Sequence, residues 1–353
     1  MSTSFILPEA PPSTDPTRLF EVYRGNFQTE LLACGQIHFR IFEHLAPGPL
    51  TESDLGHRTG LRARPLTVLL TALASFGTLV RRADGSIELS PLAREHLLPG
   101  GDYFVGDYFA RAAETAGALE FADHLRSNRP KGSRPEESGV GYLFREGMKS
   151  AMEESDLARL FTLQLAGRAK NVAPVLAAVL PLNGAHTLLD VGGGTGIYTL
   201  AFLRRNPELR GIVWDRPEVL KITSEFARRT TVTDRLELRA GDMFADPVPK
   251  DADVFLLSNI LHDWDVQDCQ QLIRRCAEAL PSGGRLIIHD VFLNDDLSGP
   301  LHAAMYSAHL FSVTEGRLYS AAECTQWLTE AGLRVVQRTE TFVHASALVA
   351  AKP

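Results

Sequence analysis

The stretch LLDVGGGTGIYTL (188–200) constrains this chain more than any other. An apolar, strand-like run stops at a cluster of glycines, and a helical pattern begins directly after it. Glycines there permit a tight turn and let the backbone approach a ligand beside a helix N-terminus. A dinucleotide loop, GxGxxG counted from Gly192, would need glycine where Ile197 stands. The pattern is DxGxGxG instead, built from Asp190, Gly192, Gly194 and Gly196. An acidic residue ahead of the loop repels a pyrophosphate but accepts hydrogen bonds from a cationic or ammonium-bearing ligand.

The loop is embedded in alternating strand and helix texture. Apolar, β-prone runs occur at HTLLDVG, RGIVWD, LELRAGD, DVFLLSN, GRLIIHD, RVVQR and ASALVA. Helix-length segments between the first six predict a doubly wound, mostly parallel sheet. The last two runs lie close together and predict an antiparallel hairpin. Two further strand ends carry polar residues suited to a nucleoside. VWDRP places Asp215 about 20 residues past the loop, where a carboxylate can hold a ribose. AGDMF places Asp242 and Met243 where they suit an adenine amino group and ring.

The first half is helical. Residues 19–45 have apolar side chains at helical spacing, and residues 50–91 read as helix, turn, helix and a hairpin around Asp84-Gly85. That is a winged-helix pattern. A DNA-reading helix needs several polar side chains for bases and phosphates. Here ARPLTVLLTALASF is apolar beyond Arg62 and Arg64, which predicts packing against a protein surface and makes a ligand-sensing DNA-binding regulator the remote alternative. The net charge of -7 also argues against nucleic acid and anionic membranes. Four cysteines without a CxxC pair read as reduced, buried thiols, and the N-terminus has no signal-peptide pattern. With no run of the ~18 apolar residues a membrane span needs, the expectation is a cytoplasmic protein. The expected organisation is a leader at 1–16, a helical winged-helix dimerisation domain at 17–125 and a loop at 126–139. Connecting helices at 140–182 and a catalytic domain at 183–353 complete it.

The stretches LLDVGGGTG, AGDMF, NILHDWDVQDC, LPSGGRLIIHD and LTEAGL resemble the small-molecule methyltransferases that use S-adenosylmethionine (SAM). The likeness is to the plant caffeate and bacterial antibiotic O-methyltransferase type, and it covers nearly the whole chain. It implies a class I methyltransferase sheet and an intertwined homodimer. Asp190, Gly192, Asp215, Asp242 and Met243 would hold SAM, with Gly194 and Gly196 in the loop and Ser258 beside it. In O-methylating members the histidine of the HDW motif, here His262, is the general base for a substrate hydroxyl. Asp290 matches one of two acidic residues that orient it, while Leu318 occupies the position of the other.

A second departure suggests different chemistry. His309, in MYSAHLFSV, stands where family members more often carry an apolar residue. His262, Asp263 and His309 would form a competent Fe or Zn site if they met in one cavity. Such a metal stabilises the enolate of an α-keto acid, whose carbon then accepts the methyl group. A C-methylating branch of the family works this way and anchors the substrate carboxylate on an arginine matched here by Arg145. Metal-assisted C-methylation of an α-keto acid is therefore the leading expectation, with O-methylation of a phenolic hydroxyl by His262 as the alternative. The plainer readings are a helix cap for Asp263, a packed side chain for His309 and a solvated charge for Arg145. Tyr108, Phe109, Phe144, Met148, Met152, Phe292, Met305 and Phe311 are candidate pocket residues that would by default be core.

Overall fold

The computed structural model describes residues 7–130 and 155–353, and the chain divides into two compact units. One unit holds the described parts of 1–20, 142–292 and 321–353. The other holds those of 21–141 and 293–320. Residues 293–320 thus cluster with the helical part of the chain, although they follow the glycine loop by a hundred positions.

In chain order the strands are β1 (Leu79–Arg81), β2 (Ile87–Leu89), β3 (Thr187–Val191), β4 (Arg210–Asp215), β5 (Leu236–Ala240), β6 (Val254–Ser258), β7 (Arg285–Val291), β8 (Arg334–Glu340) and β9 (Ala345–Ala351). In the first unit, β3 to β9 form one sheet of order β5-β4-β3-β6-β7-β9-β8. The pairs from β5 through β7 are parallel, and β7–β9 and β8–β9 are antiparallel. All seven predicted strands and the closing hairpin are present. Central strands such as VFLLS are covered on both faces and so read as continuous apolar runs. The edge strand β8, RVVQRTE, leaves most of its side chains exposed or half-buried, as a sheet edge must to avoid pairing with other chains.

One face of the sheet packs Leu188, Leu256 and Ile287 against the long helix Ser155–Val179 and the helix Ile197–Arg205 that follows the glycine loop. Among the described residues no helix connects β5 to β6, contrary to the sequence expectation. That connection holds Pro247 and Pro249, which remove amide donors, and an Asp242 carboxylate that bonds local backbone N–H groups instead.

The predicted long helix at 19–45 is broken into Thr17–Arg24, Gln28–Ala33, a π-turn at Cys34–His38 and Ile41–Leu45, all but the start of the first lying in the second unit. The breaks fall at Phe27 and Arg40, both in the left-handed region with φ of 71° and 49°. The helix-turn-helix and hairpin are present as Glu52–Thr59, Ala63–Ser75, β1 and β2. Helix Ala63–Ser75 buries Leu66, Val68, Leu69, Leu70 and Leu73 inside its own unit, against Ala304, Met305, Ala308 and Phe311 of helix Leu301–Val313. Its apolar character is therefore satisfied within the chain, and a partner subunit is not needed to explain it. No helix among the described residues is long and apolar enough to cross a membrane.

Candidate active site

The parallel strands bring their C-terminal ends to one side of the sheet, where ligands of open α/β folds bind. At the end of β3 the chain turns through Gly192, with φ +65°. A Cβ there would lie 2.7 Å from Ile260 Cδ1 and 3.9 Å from Met243 Sδ. Residue 192 is thus glycine for two reasons, its backbone angle and its crowding. At Gly194, φ +56°, a side chain would meet nothing within 4 Å, so this turn of backbone lies open. Gly196, φ +70°, caps the helix Ile197–Arg205.

Three carboxylates surround this loop. Asp190 is buried, accepts the Thr199 hydroxyl at 2.7 Å, and is pushed up to about 7 by burial. Asp215, ending β4, accepts the N–H groups of Gly194 at 2.8 Å and Arg216 at 2.6 Å, and burial raises it to about 6. Each oxygen of Asp215 keeps a lone pair for a ligand hydroxyl. Asp242 is already engaged, with one oxygen on the N–H groups of Phe244 and Ala245 and the other on Arg216 at 2.5 Å. Beside this ion pair lies a cavity of about 350 Å³ lined by Arg216, Pro217, Glu218, Gly241, Asp242 and Asp246. Met243 places its sulfur over the Gly192 turn. Open glycine backbone, the Asp190 and Asp215 carboxylates beside it and an adjoining cavity fit a cationic nucleoside such as SAM.

His262 belongs to a single 3-10 turn, Leu261–Asp263, after β6. The Cys269 thiol holds that turn by donating to the carbonyls of Leu261 at 3.1 Å and Trp264 at 3.5 Å. The helix Val266–Ala279 is capped by Asp265, whose side chain accepts the Asp268 N–H. Asp263 is therefore not a helix cap. The His262 ring is buried between two carboxylates: Nδ1 lies 2.7 Å from Asp290 Oδ1 and Nε2 lies 3.6 Å from Asp263 Oδ1. Asp290 Oδ1 also accepts the Val291 N–H at 2.8 Å, which fixes it in place. A carboxylate only accepts, so Nδ1 carries the hydrogen and the lone pair sits on Nε2. Burial raises the Asp263 carboxyl to about 6, against the pull of the His262 and Arg168 charges. Arg168, on helix Ser155–Val179, is a site residue that sequence reasoning missed, because helical spacing does not show which charge turns inward.

His309 lies in the second unit, on helix Leu301–Val313. Its ring stacks on Tyr306 and Phe27 with centroids 6.4 and 6.5 Å away, and Tyr23 meets it edge-on at 6.4 Å. Burial and the Arg24 charge hold its pKa below the ordinary histidine range. Within either unit by itself, the described residues hold no group of three ligating side chains that includes His262, Asp263 or His309. The expected metal site thus has two of its three donors in one unit and the third among aromatic rings in the other. Leu318 is fully buried, and its N–H donates to Ser307. Of the other candidate pocket residues, Tyr108 is 92% exposed, while Met305 and Phe311 belong to the second unit's core. Arg145, Phe144, Met148, Met152 and the loop from 131 to 139 lie outside the described residues.

The model of the O-methyltransferase domain family matches residues 120–334. The 3-hydroxy-5-methyl-1-naphthoate 3-O-methyltransferase of Streptomyces sahachiroi is 36% identical over 339 residues, covering 96% of this chain and 94% of that protein. The L-tyrosine C(3)-methyltransferase of Streptomyces lavendulae is 29% identical over 323 residues, covering 90% and 84%. Among solved structures, an O-methyltransferase family 2 protein from Planctomyces limnophilus, in complex with apigenin, superposes with a TM-score of 0.87. It is 45% identical and each chain is covered in full. The chain belongs to the O-methyltransferase family, and it is an enzyme that transfers a methyl group from SAM to a small molecule.

Proposed function

We propose that this enzyme O-methylates a phenolic hydroxyl on a flat aromatic acceptor, with His262 as general base. The observation that carries this reading is the 2.7 Å contact between His262 Nδ1 and Asp290, which leaves Nε2 as a basic lone pair. SAM supplies an electrophilic methyl group carried on a sulfonium. His262 Nε2 takes the hydroxyl proton as the oxygen becomes nucleophilic, and Asp290 stabilises the imidazolium through Nδ1–H. Asp263, ionised above about pH 6, adds negative charge 3.6 Å from Nε2. The naphthoate methyltransferase and the apigenin complex among the relatives support a fused-ring acceptor. Asp190, Asp215, Asp242, Met243 and Ser258, with the glycine loop, are the residues proposed to hold SAM.

This reading replaces the expectation of metal-assisted C-methylation, for which the donor set is incomplete within either unit. It extends to a homodimer, supported by Tyr103, Val105 and Tyr108 exposed on the second unit. It extends also to a cytoplasmic setting, supported by four free, buried cysteines. Light scattering showing a monomer at micromolar concentration would remove the dimer.

The test offers purified protein and SAM a hydroxynaphthoate, a flavone and a phenylpyruvate-type α-keto acid, with and without EDTA. The expected product is a methyl ether, formed at the same rate under chelation. Methylation of the carbon beside the keto group, lost on chelation, would overturn the reading and restore the metal mechanism.

A further inference from the structure

Behind Ser258 runs a line of buried polar side chains whose other members have no part in the transfer itself. His289 is fully buried in β7, in register with Ser258 of β6. Its Nδ1 lies 3.0 Å from Ser258 Oγ and its Nε2 3.0 Å from Thr341 Oγ1. The direction of each bond follows from counting hydrogens. The single Thr341 hydroxyl hydrogen goes to the Ala345 carbonyl at 3.0 Å, so Thr341 accepts from His289 Nε2–H. His289 Nδ1 then accepts from Ser258. The Ser258 oxygen in turn accepts an Asn259 amide hydrogen at 3.0 Å, and the other amide hydrogen reaches the Tyr198 hydroxyl at 3.3 Å. This one-way line requires a neutral imidazole, and burial holds His289 down at about 3.

The line ends on a strained residue. Asn259 has φ +58° and turns the chain from β6 into the 3-10 turn carrying His262. Its backbone N–H is bound to the His289 carbonyl at 2.9 Å. Asparagine tolerates the left-handed region better than most residues, but only where its surroundings hold it there. On β7, side chains alternate between faces, so His289 and the orienting carboxylate Asp290 come from adjacent positions on opposite sides of one strand.

We propose that His289 is a positioning residue: through Ser258 and Asn259 it locks the left-handed kink that aims the His262 imidazole at Asp290 and the acceptor. This rests on the reading of His262 as the base. A buried histidine serving only to fill space would be replaceable by an apolar side chain without effect on turnover.

The experiment compares wild type with His289→Leu, His289→Asn and Tyr198→Phe. Kinetics are read as kcat and KM separately, SAM affinity by calorimetry, and the His262 tautomer by nitrogen-15 NMR of the imidazole. His289→Leu is expected to lower kcat by roughly ten- to a hundredfold, the scale of a small misplacement of a reacting group. The single Nδ1–H tautomer of His262 should become a mixture in the SAM-free protein, which separates positioning of the base from any change in SAM affinity passed on through Ser258. His289→Asn supplies a carbonyl oxygen in place of Nδ1 and should restore most of the loss. If His289→Leu does not fold, Tyr198→Phe carries the test, with a loss of kcat of about threefold or more. A lowered melting temperature with unchanged kcat and tautomer overturns the proposal. The tautomer is read without any acceptor, so it also separates this outcome from failure of the O-methylation reading. A protein that methylates no hydroxyl yet loses the tautomer in the variants would refute the reaction, not the positioning.

Discussion

Two histidines of this enzyme sit in opposite surroundings. His262 is held by Asp290 through Nδ1 and faced by Asp263, so its ring is oriented and its conjugate acid stabilised. His309 stacks among Tyr23, Phe27 and Tyr306 beside the Arg24 charge, so its cationic form is disfavoured. The same side chain is oriented between carboxylates in one place, where it is proposed as the base, and stacked among aromatic rings in the other. Residue type therefore says little about role until its neighbours are known.

The sharpest way to break the comparison is His262→Ala. It should lower kcat/KM by about 10² to 10⁴, the usual worth of a positioned base, while SAM affinity measured by calorimetry stays within a few-fold. Retention of wild-type turnover would remove His262 from the mechanism. Asp290→Asn should come next, with a loss of roughly 10² or more, because the amide no longer enforces the Nδ1–H tautomer. If Asp290→Asn keeps most of its activity, orientation must come from elsewhere.

A smaller effect concerns pH. Asp190, raised to about 7, and Asp215 and Asp263, raised to about 6, all bind a proton more tightly folded than unfolded. Their contribution to stability is full below the ordinary carboxylate range and is lost as pH rises through about 6 to 7. The ligand-free enzyme should gain on the order of a few degrees in melting temperature between pH 8 and pH 6. SAM is cationic and favours the ionised carboxylates, so its binding near pH 6.5 should release protons, measurable by calorimetry in buffers of different ionisation enthalpy. Proton uptake instead would place these carboxylates away from the ligand's charge.

The smallest effect is expected on the other side of the comparison. His309→Met should leave turnover within about threefold and cost about 1 kcal/mol of stability through lost ring contacts. A loss as large as that of His262→Ala, restored by added Fe or Zn, would revive the metal site.

Much of the first unit was legible in the sequence because parallel strands and their glycine turn leave strong local marks. Apolar or β-prone runs marked β3 to β9, and the loop at Gly192, Gly194 and Gly196 is where it was predicted. The broken helix at 19–45 was not legible, since apolar spacing continues across Phe27 and Arg40 while their backbone angles answer to tertiary packing. Nor was the His289 line, because a histidine inside an apolar strand gives no sign of whether its two nitrogens have partners. The surroundings of His309 were hidden for a related reason. Its position in the chain suggested a ligand, and nothing local shows the ring contacts it makes with Tyr23 and Phe27, nearly three hundred residues earlier.

The sequence by itself determined the seven strands of the sheet, the glycine turn and the side chains at the strand ends, since these depend on backbone preference and apolar periodicity within a few residues. Tertiary structure decided which nitrogen of His262 is basic and that Asp263 is not a helix cap. It also decided that helix Ala63–Ser75 is satisfied within its own chain. Those outcomes depend on hydrogen-bond partners and burial supplied by distant segments, and no local pattern encodes them.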